Sequence, residues 1–170
     1  MSYDVFAWSR SPSIPLVTDL GPHLGRWSIA PLALGGTRAL PTGRPWPAAS
    51  LVVGWRRRRG LADVLAILRS RDEAMLQSLY DRGLLASCTL NVERRYRMDP
   101  EEMEELAELR TPRQLATLRA ARVHYVTSSR AGRNDLSIDL QTALCVALAR
   151  VHGGLVEDPQ TDRVRLFEPA

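Results

Sequence analysis

The strongest constraint on this chain lies in its last third. Asn134 and Asp135 open a segment whose apolar residues recur at helical spacing as far as Val151, and His152-Gly153-Gly154 stops it. Leu155-Val156 follows, then the turn Glu157-Asp158-Pro159-Gln160-Thr161-Asp162, then Val164-Arg165-Leu166-Phe167. Two short apolar runs around a turn of this chemistry predict a β-hairpin. Residues 134–167 therefore read as a helix followed by a hairpin. Gly153, Gly154, Asp158 and Pro159 are explained by backbone geometry, as a helix stop and a turn.

Upstream, residues 3–8 alternate, with Tyr3, Val5 and Ala7 on one side and Asp4, Phe6 and Trp8 on the other, which predicts a first strand covered on both faces. Residues 9–24 and 35–49 are rich in Ser, Pro and Gly, so most of 9–49 reads as irregular, with a strand over 26–34 in which Pro31 marks an edge or bulge. Residues 50–55 form a buried strand. Leu61, Val64, Leu65 and Leu68 predict a helix over 61–69, and Ser70-Arg71-Asp72-Glu73 is a capping-box pattern that starts a second, ended by Gly83. Residues 86–93 alternate as a half-buried strand. Asp99-Pro100-Glu101-Glu102 and Thr111-Pro112-Arg113-Gln114 are helix starts, the second running to about Ala120, and 122–127 is a further strand followed by a loop over Ser128–Arg133. This order predicts one α+β domain of 170 residues: a mixed, mainly antiparallel sheet with helices mostly on one face.

Composition bounds the rest. A 45% hydrophobic and 25% charged chain is ordinary for a globular protein. All 23 basic residues are arginine, scattered along the chain, as expected of a GC-rich coding sequence; the net charge of +4 permits weak binding to polyanions. Cys88 and Cys145 sit in apolar patterns and are expected to be buried free thiols. The opening Met-Ser-Tyr-Asp-Val-Phe-Ala-Trp is not a signal peptide, and no apolar run approaches a membrane span, so a cytoplasmic protein without membrane association is expected.

Few residues suggest chemistry. His23, His124 and His152 lack metal-ligand spacing, no Gly-x-Ser-x-Gly elbow is present, and neither a metal nor a cofactor is expected. Two charged features stand out. Arg56, Arg57, Arg58 and Arg59 sit at a strand-to-helix corner, where a helix dipole and guanidinium groups suit an anion; with Arg94, Arg95 and Arg97 they form a candidate nucleic-acid surface. Against this stands the ordinary reading of a charge run as a solvated face. The second feature is a helix bearing Glu101, Glu102, Glu104, Glu105 and Glu108, with Met103, Leu106 and Ala107 turned inward. Its like charges four residues apart repel. Glu101, Glu102, Glu105 and Glu108 are the candidate contacts to a partner protein with a basic surface, although a solvated helix explains them too.

The opening Met1-Ser2-Tyr3-Asp4-Val5-Phe6-Ala7-Trp8 and the ending Ala149-Arg150-Val151-His152-Gly153-Gly154-Leu155-Val156-Glu157-Asp158-Pro159-Gln160 resemble the ends of a group of small, largely uncharacterised bacterial proteins. The resemblance covers about a fifth of the chain. It implies a place among proteins thought to include immunity proteins against secreted toxins, and it supplies no catalytic residues. The expectation is a non-catalytic protein-binding module; the alternative is a nucleic-acid-binding or regulatory protein, and an enzyme with its site in 9–49 comes third. A sheet that ends in a hairpin leaves an open edge, so a homodimer is also expected as an option.

Overall fold

The computed structural model describes residues 2–35, 37–56, 59–130 and 135–170; Arg57, Arg58, Asn134 and residues 131–133 of the loop expected from sequence lie outside them, whereas 128–130, expected to open that loop, continue a strand. Seven strands form one sheet in the order β2-β3-β4-β5-β1-β6-β7. They are β1 (Ser2–Ser9), β2 (Ser28–Leu32), β3 (Ala49–Trp55), β4 (Leu85–Arg94), β5 (Val123–Arg130), β6 (Gly154–Asp158) and β7 (Arg163–Phe167). Among the described residues six α-helices accompany them: α1 (Val17–Leu20), α2 (Leu61–Ser70), α3 (Glu73–Asp81), α4 (Pro100–Leu106), α5 (Pro112–Ala120) and α6 (Asp135–His152).

Every neighbouring pair of strands is antiparallel, where a mixed, mainly antiparallel sheet was expected from sequence. The reason lies in the connections. The links from β3 to β4 and from β4 to β5 each contain two helices, which carry the chain out and back so that it re-enters the sheet at the end it left. The link from β1 to β2, which contains α1, is a crossover between parallel strands, and α6 acts as another. It joins β5 to β6, which run parallel to each other but are separated by β1.

Strand alternation assigns the two faces. Val5 and Ala7 of β1, Val52 of β3, Cys88 and Leu90 of β4 and Tyr125 of β5 point to one side, where they pack on α6, α1 and the buried Trp27 and Trp46. Leu140, Leu144 and Leu148, one turn apart along α6, are fully buried there, a contribution of roughly 1.5–3 kcal/mol each. On the other side, Val53, Trp55 and Leu85 pack under α2 and α3. Trp8 and Leu155 pack near α5 with Leu118, and Met103 and Leu106 of α4 join that cluster. Four of the six helices thus share one face, and the longest covers the opposite one.

Local signals placed most ends well. Gly83 takes φ +69° just past α3, where a side chain would be strained. The start of α3 differs from expectation. Asp72 is its N-cap, accepting from Met75 N at 3.0 Å, whereas Ser70 Oγ turns back to donate to Ile67 O at 2.6 Å. The serine closes α2 and the aspartate two residues on opens α3. Both cysteines are buried. No helix among the described residues is long and apolar enough to cross a membrane. The 9–49 region is less irregular than its composition suggests, since it holds α1, a 3-10 turn over Gly21–His23 and β2.

Candidate partner-binding face

The acidic segment is held against the sheet by its own local chemistry. Asp99 caps α4, its Oδ1 accepting from Glu101 N at 2.8 Å, and Pro100 occupies the first turn, where a missing N–H costs nothing. Met103 and Leu106, three residues apart, turn toward Trp8, Tyr96 and Leu118. The remaining directions present Glu101, Glu102, Glu104 and Glu105 to solvent. α4 ends at Leu106, so Glu108 lies in the turn that follows; it too is exposed. None of these five glutamates forms an ion pair among the described residues. At the end of the turn Leu109 is 69% exposed, the most exposed large apolar side chain described. Thr111 then starts α5 as expected, and a capping box with Gln114 reinforces that start.

A partly buried ion pair anchors this corner. Arg110 Nη2 donates to Glu157 Oε1 at 2.9 Å, tying the α4–α5 turn to β6, and Arg110 Nη1 donates to the carbonyl of Leu109 at 3.1 Å. The acidic patch and its leucine are therefore presented from a fixed corner.

Beside α4 lies an aromatic stack that sequence reasoning did not assemble. Strand register sets Trp8 opposite His124. The two rings stack at 4.9 Å and 10°, Phe6 lies 5.8 Å from the imidazole, and Tyr96 closes the other side at 4.8 Å. His124 Nδ1 sits 3.5 Å from Glu93 Oε2, while its Nε2 is buried with no hydrogen-bond partner among the described residues. Burial lowers the His124 pKa, with Glu93 acting in the opposite sense. Burial likewise raises the Tyr96 pKa; the Trp8 indole opposes that, and Glu102 and Glu93 add to it. The alternation of Phe6 and Trp8 was the only available sign of this cluster, because the pairing register is set by tertiary structure.

The arginines do not converge. Arg56 Nη2 donates to Asp139 Oδ2 of α6 at 2.7 Å, on one face of the sheet. Arg59 borders the gap between α2 and α3, on the other. Arg94 lies at the far end of β4 from the Trp55–Leu85 pair, about 30 Å away at roughly 3.3 Å per residue. It donates to the carbonyl of Trp46 at 3.1 Å. Arg95 and Arg97 are exposed just before α4, Arg95 with φ +56°.

Other candidates have structural roles. Cys145 is fully buried, its thiol 3.6 Å from both Val5 O and Thr127 Oγ1, and burial pushes its pKa up to about 12. That environment opposes thiolate formation. Asp158 closes the hairpin turn by accepting from Gln160 N at 3.1 Å. No group of three or more His, Cys, Asp or Glu side chains among the described residues could hold a metal ion. β7 leaves an edge open, but exposed Arg163 and Arg165 sit on it, charges of the kind that discourage strand addition.

No protein-family model matches the chain, nor does any curated protein or solved structure.

Proposed function

We propose that this chain is a non-catalytic protein-binding module that captures a partner with a basic surface through the α4 face. The observation that carries this reading is the set of five exposed glutamates, without ion pairs among the described residues, gathered beside the exposed Leu109. Like charges four apart cost a helix roughly 0.2–0.5 kcal/mol per pair, and a basic partner would relieve that cost. The carboxylates would steer encounter with such a partner, and Leu109 would serve as an apolar anchor within the charged rim. The Arg110–Glu157 pair supports this by fixing the corner before binding. The resemblance of the two termini to a group thought to include immunity proteins suggests a secreted toxin as the partner.

Nucleic acid is the second reading, and it has less behind it. Arg56 and Arg59 serve opposite faces, and Arg95 and Arg97 adjoin the acidic patch, which would repel phosphates.

The test is capture, by the full chain, of a toxin encoded beside it. Charge reversal at Glu101 and Glu105 is expected to weaken binding by about tenfold per site, mostly through association rate. Because both side chains are exposed, the thermal transition should not fall. Capture unchanged by the double reversal overturns the reading. Steep loss of duplex DNA binding with salt, carried by Arg95 and Arg97, would favour the second one.

A further inference from the structure

We propose that the cleft along the outer side of α6 binds a small oxyanion, a phosphate or carboxylate carried on an apolar body. The cleft has a volume of about 380 Å³, within the range that small ligands occupy, and lies on the sheet face opposite α4.

Its charge is unbalanced. Among the described residues Asp139 is the single carboxylate lining it, and Asp139 Oδ2 already accepts from Trp27 Nε1 at 3.0 Å and from Arg56 Nη2 at 2.7 Å. Arg56 therefore offsets Asp139. Arg26 and Arg165 line the same cleft, and neither forms an ion pair among the described residues. Two guanidinium groups thus remain without an anion. Guanidinium forks match the paired oxygens of phosphate and carboxylate, which makes an oxyanion the fitting ligand.

The cleft is also held in shape. The Arg56 guanidinium lies 4.6 Å over the Trp27 ring while bonded to Asp139, so β3, the segment before β2 and α6 are pinned together at one point. Arg165 lies 5.7 Å from the Phe167 ring, which restricts it to this side of β7. Between the charged groups, Leu24, Ala143 and Val146 provide an apolar wall that would take the body of the ligand. Arg57 and Arg58 are not needed for this arrangement.

The experiment follows the Trp27 indole N–H by NMR during titration, with Trp27→Phe used to assign the resonance. The probes are phenyl phosphate, phenylacetate and, as the uncharged control, benzyl alcohol. Saturable shifts with phenyl phosphate or phenylacetate, absent with benzyl alcohol, are expected; the stronger of the two identifies the preferred oxyanion. Arg26→Ala and Arg165→Ala should each weaken binding by about tenfold or more, the loss of a charged hydrogen bond. Both residues are exposed, so the variants should unfold like the parent chain. A lack of saturable shift with either anion overturns the proposal, as does equal binding by the double variant. Reversal of Glu101 and Glu105 should leave this titration unchanged, so the result is independent of the α4 reading.

Discussion

Gly154→Ala tests the packing of the terminal unit most directly. Gly154 opens β6 and pairs with Ser9 at the end of β1. A methyl group built on it would overlap the carbonyl oxygen of Trp8 and stand 3.1 Å from the Trp8 carbonyl carbon. Both are backbone atoms of a strand held between β5 and β6, so no side-chain rotation relieves the overlap. β6 must retreat by about 1 Å or more to restore ordinary carbon–oxygen contact. Such a shift stretches the short ladder from Phe6–Glu157 to Ser9–Gly154 and loosens the fully buried Leu155. Losing one or two ladder hydrogen bonds at about 1 kcal/mol each, plus overpacking of about 1–3 kcal/mol, gives a destabilisation of about 3 kcal/mol. For a chain of this length that corresponds to a fall in Tm of about 6–12 °C. Urea unfolding followed by tryptophan fluorescence measures it, with the slope m checked for constancy. A loss below about 1 kcal/mol would refute the reasoning, because it would mean that β6 is not held tightly against β1.

Two further outcomes are expected. Burial lowers the pKa of His124 from its usual 6.5, with Glu93 opposing, so the fold favours the neutral imidazole. Below that value the unfolded chain binds a proton that the folded chain resists, so stability is full above pH 6.5 and declines as pH falls through it toward the folded pKa. His124→Phe keeps an aromatic ring between Trp8 and Tyr96 and should flatten this decline in urea midpoints measured across the window; a slope matching the parent chain would show that other groups carry it. Cys145, buried and with its pKa pushed up to about 12, should react with a thiol reagent at mildly alkaline pH only as fast as the protein opens. Rapid modification of Cys145 in the native state, resolved by peptide mapping, would contradict its placement.

The parts of this fold that the sequence announces are those specified within a turn or two of chain. Asp99-Pro100 and Thr111-Pro112 start helices where their chemistry requires, and α6, β6 and β7 follow periodicity and turn residues. Ser70 shows the limit of such signals, since Asp72 two residues on competes for the same role and wins it. Residues 9–49 were harder because what organises them is not periodic. Trp27 and Trp46 are buried there in the core on the α6 side of the sheet, and nothing nearby in sequence foretells it. The arginine run misleads for a related reason. Adjacency in sequence suggests one site, yet the chain leaves β3 at that corner and sends Arg56 to α6 and Arg59 toward α2 and α3. The acidic patch was legible because α4 is amphipathic, whereas the His124 stack and the Arg26–Arg165 cleft depend on strand register and on helix placement across the sheet.

The position of β1 has a consequence for synthesis. It precedes the other described strands in the chain, yet its two neighbours are β5 and β6, the second of which begins at Gly154. β2, β3 and β4 can pair as they emerge, because each lies beside the next. β1 must wait with both edges unpaired until β5 is made, and with one edge open until β6 follows, and its closure joins segments separated by more than a hundred residues. The centre of the sheet therefore closes only after β2, β3 and β4 have been made, and a nascent chain stalled before β5 would carry an exposed alternating strand open to mispairing.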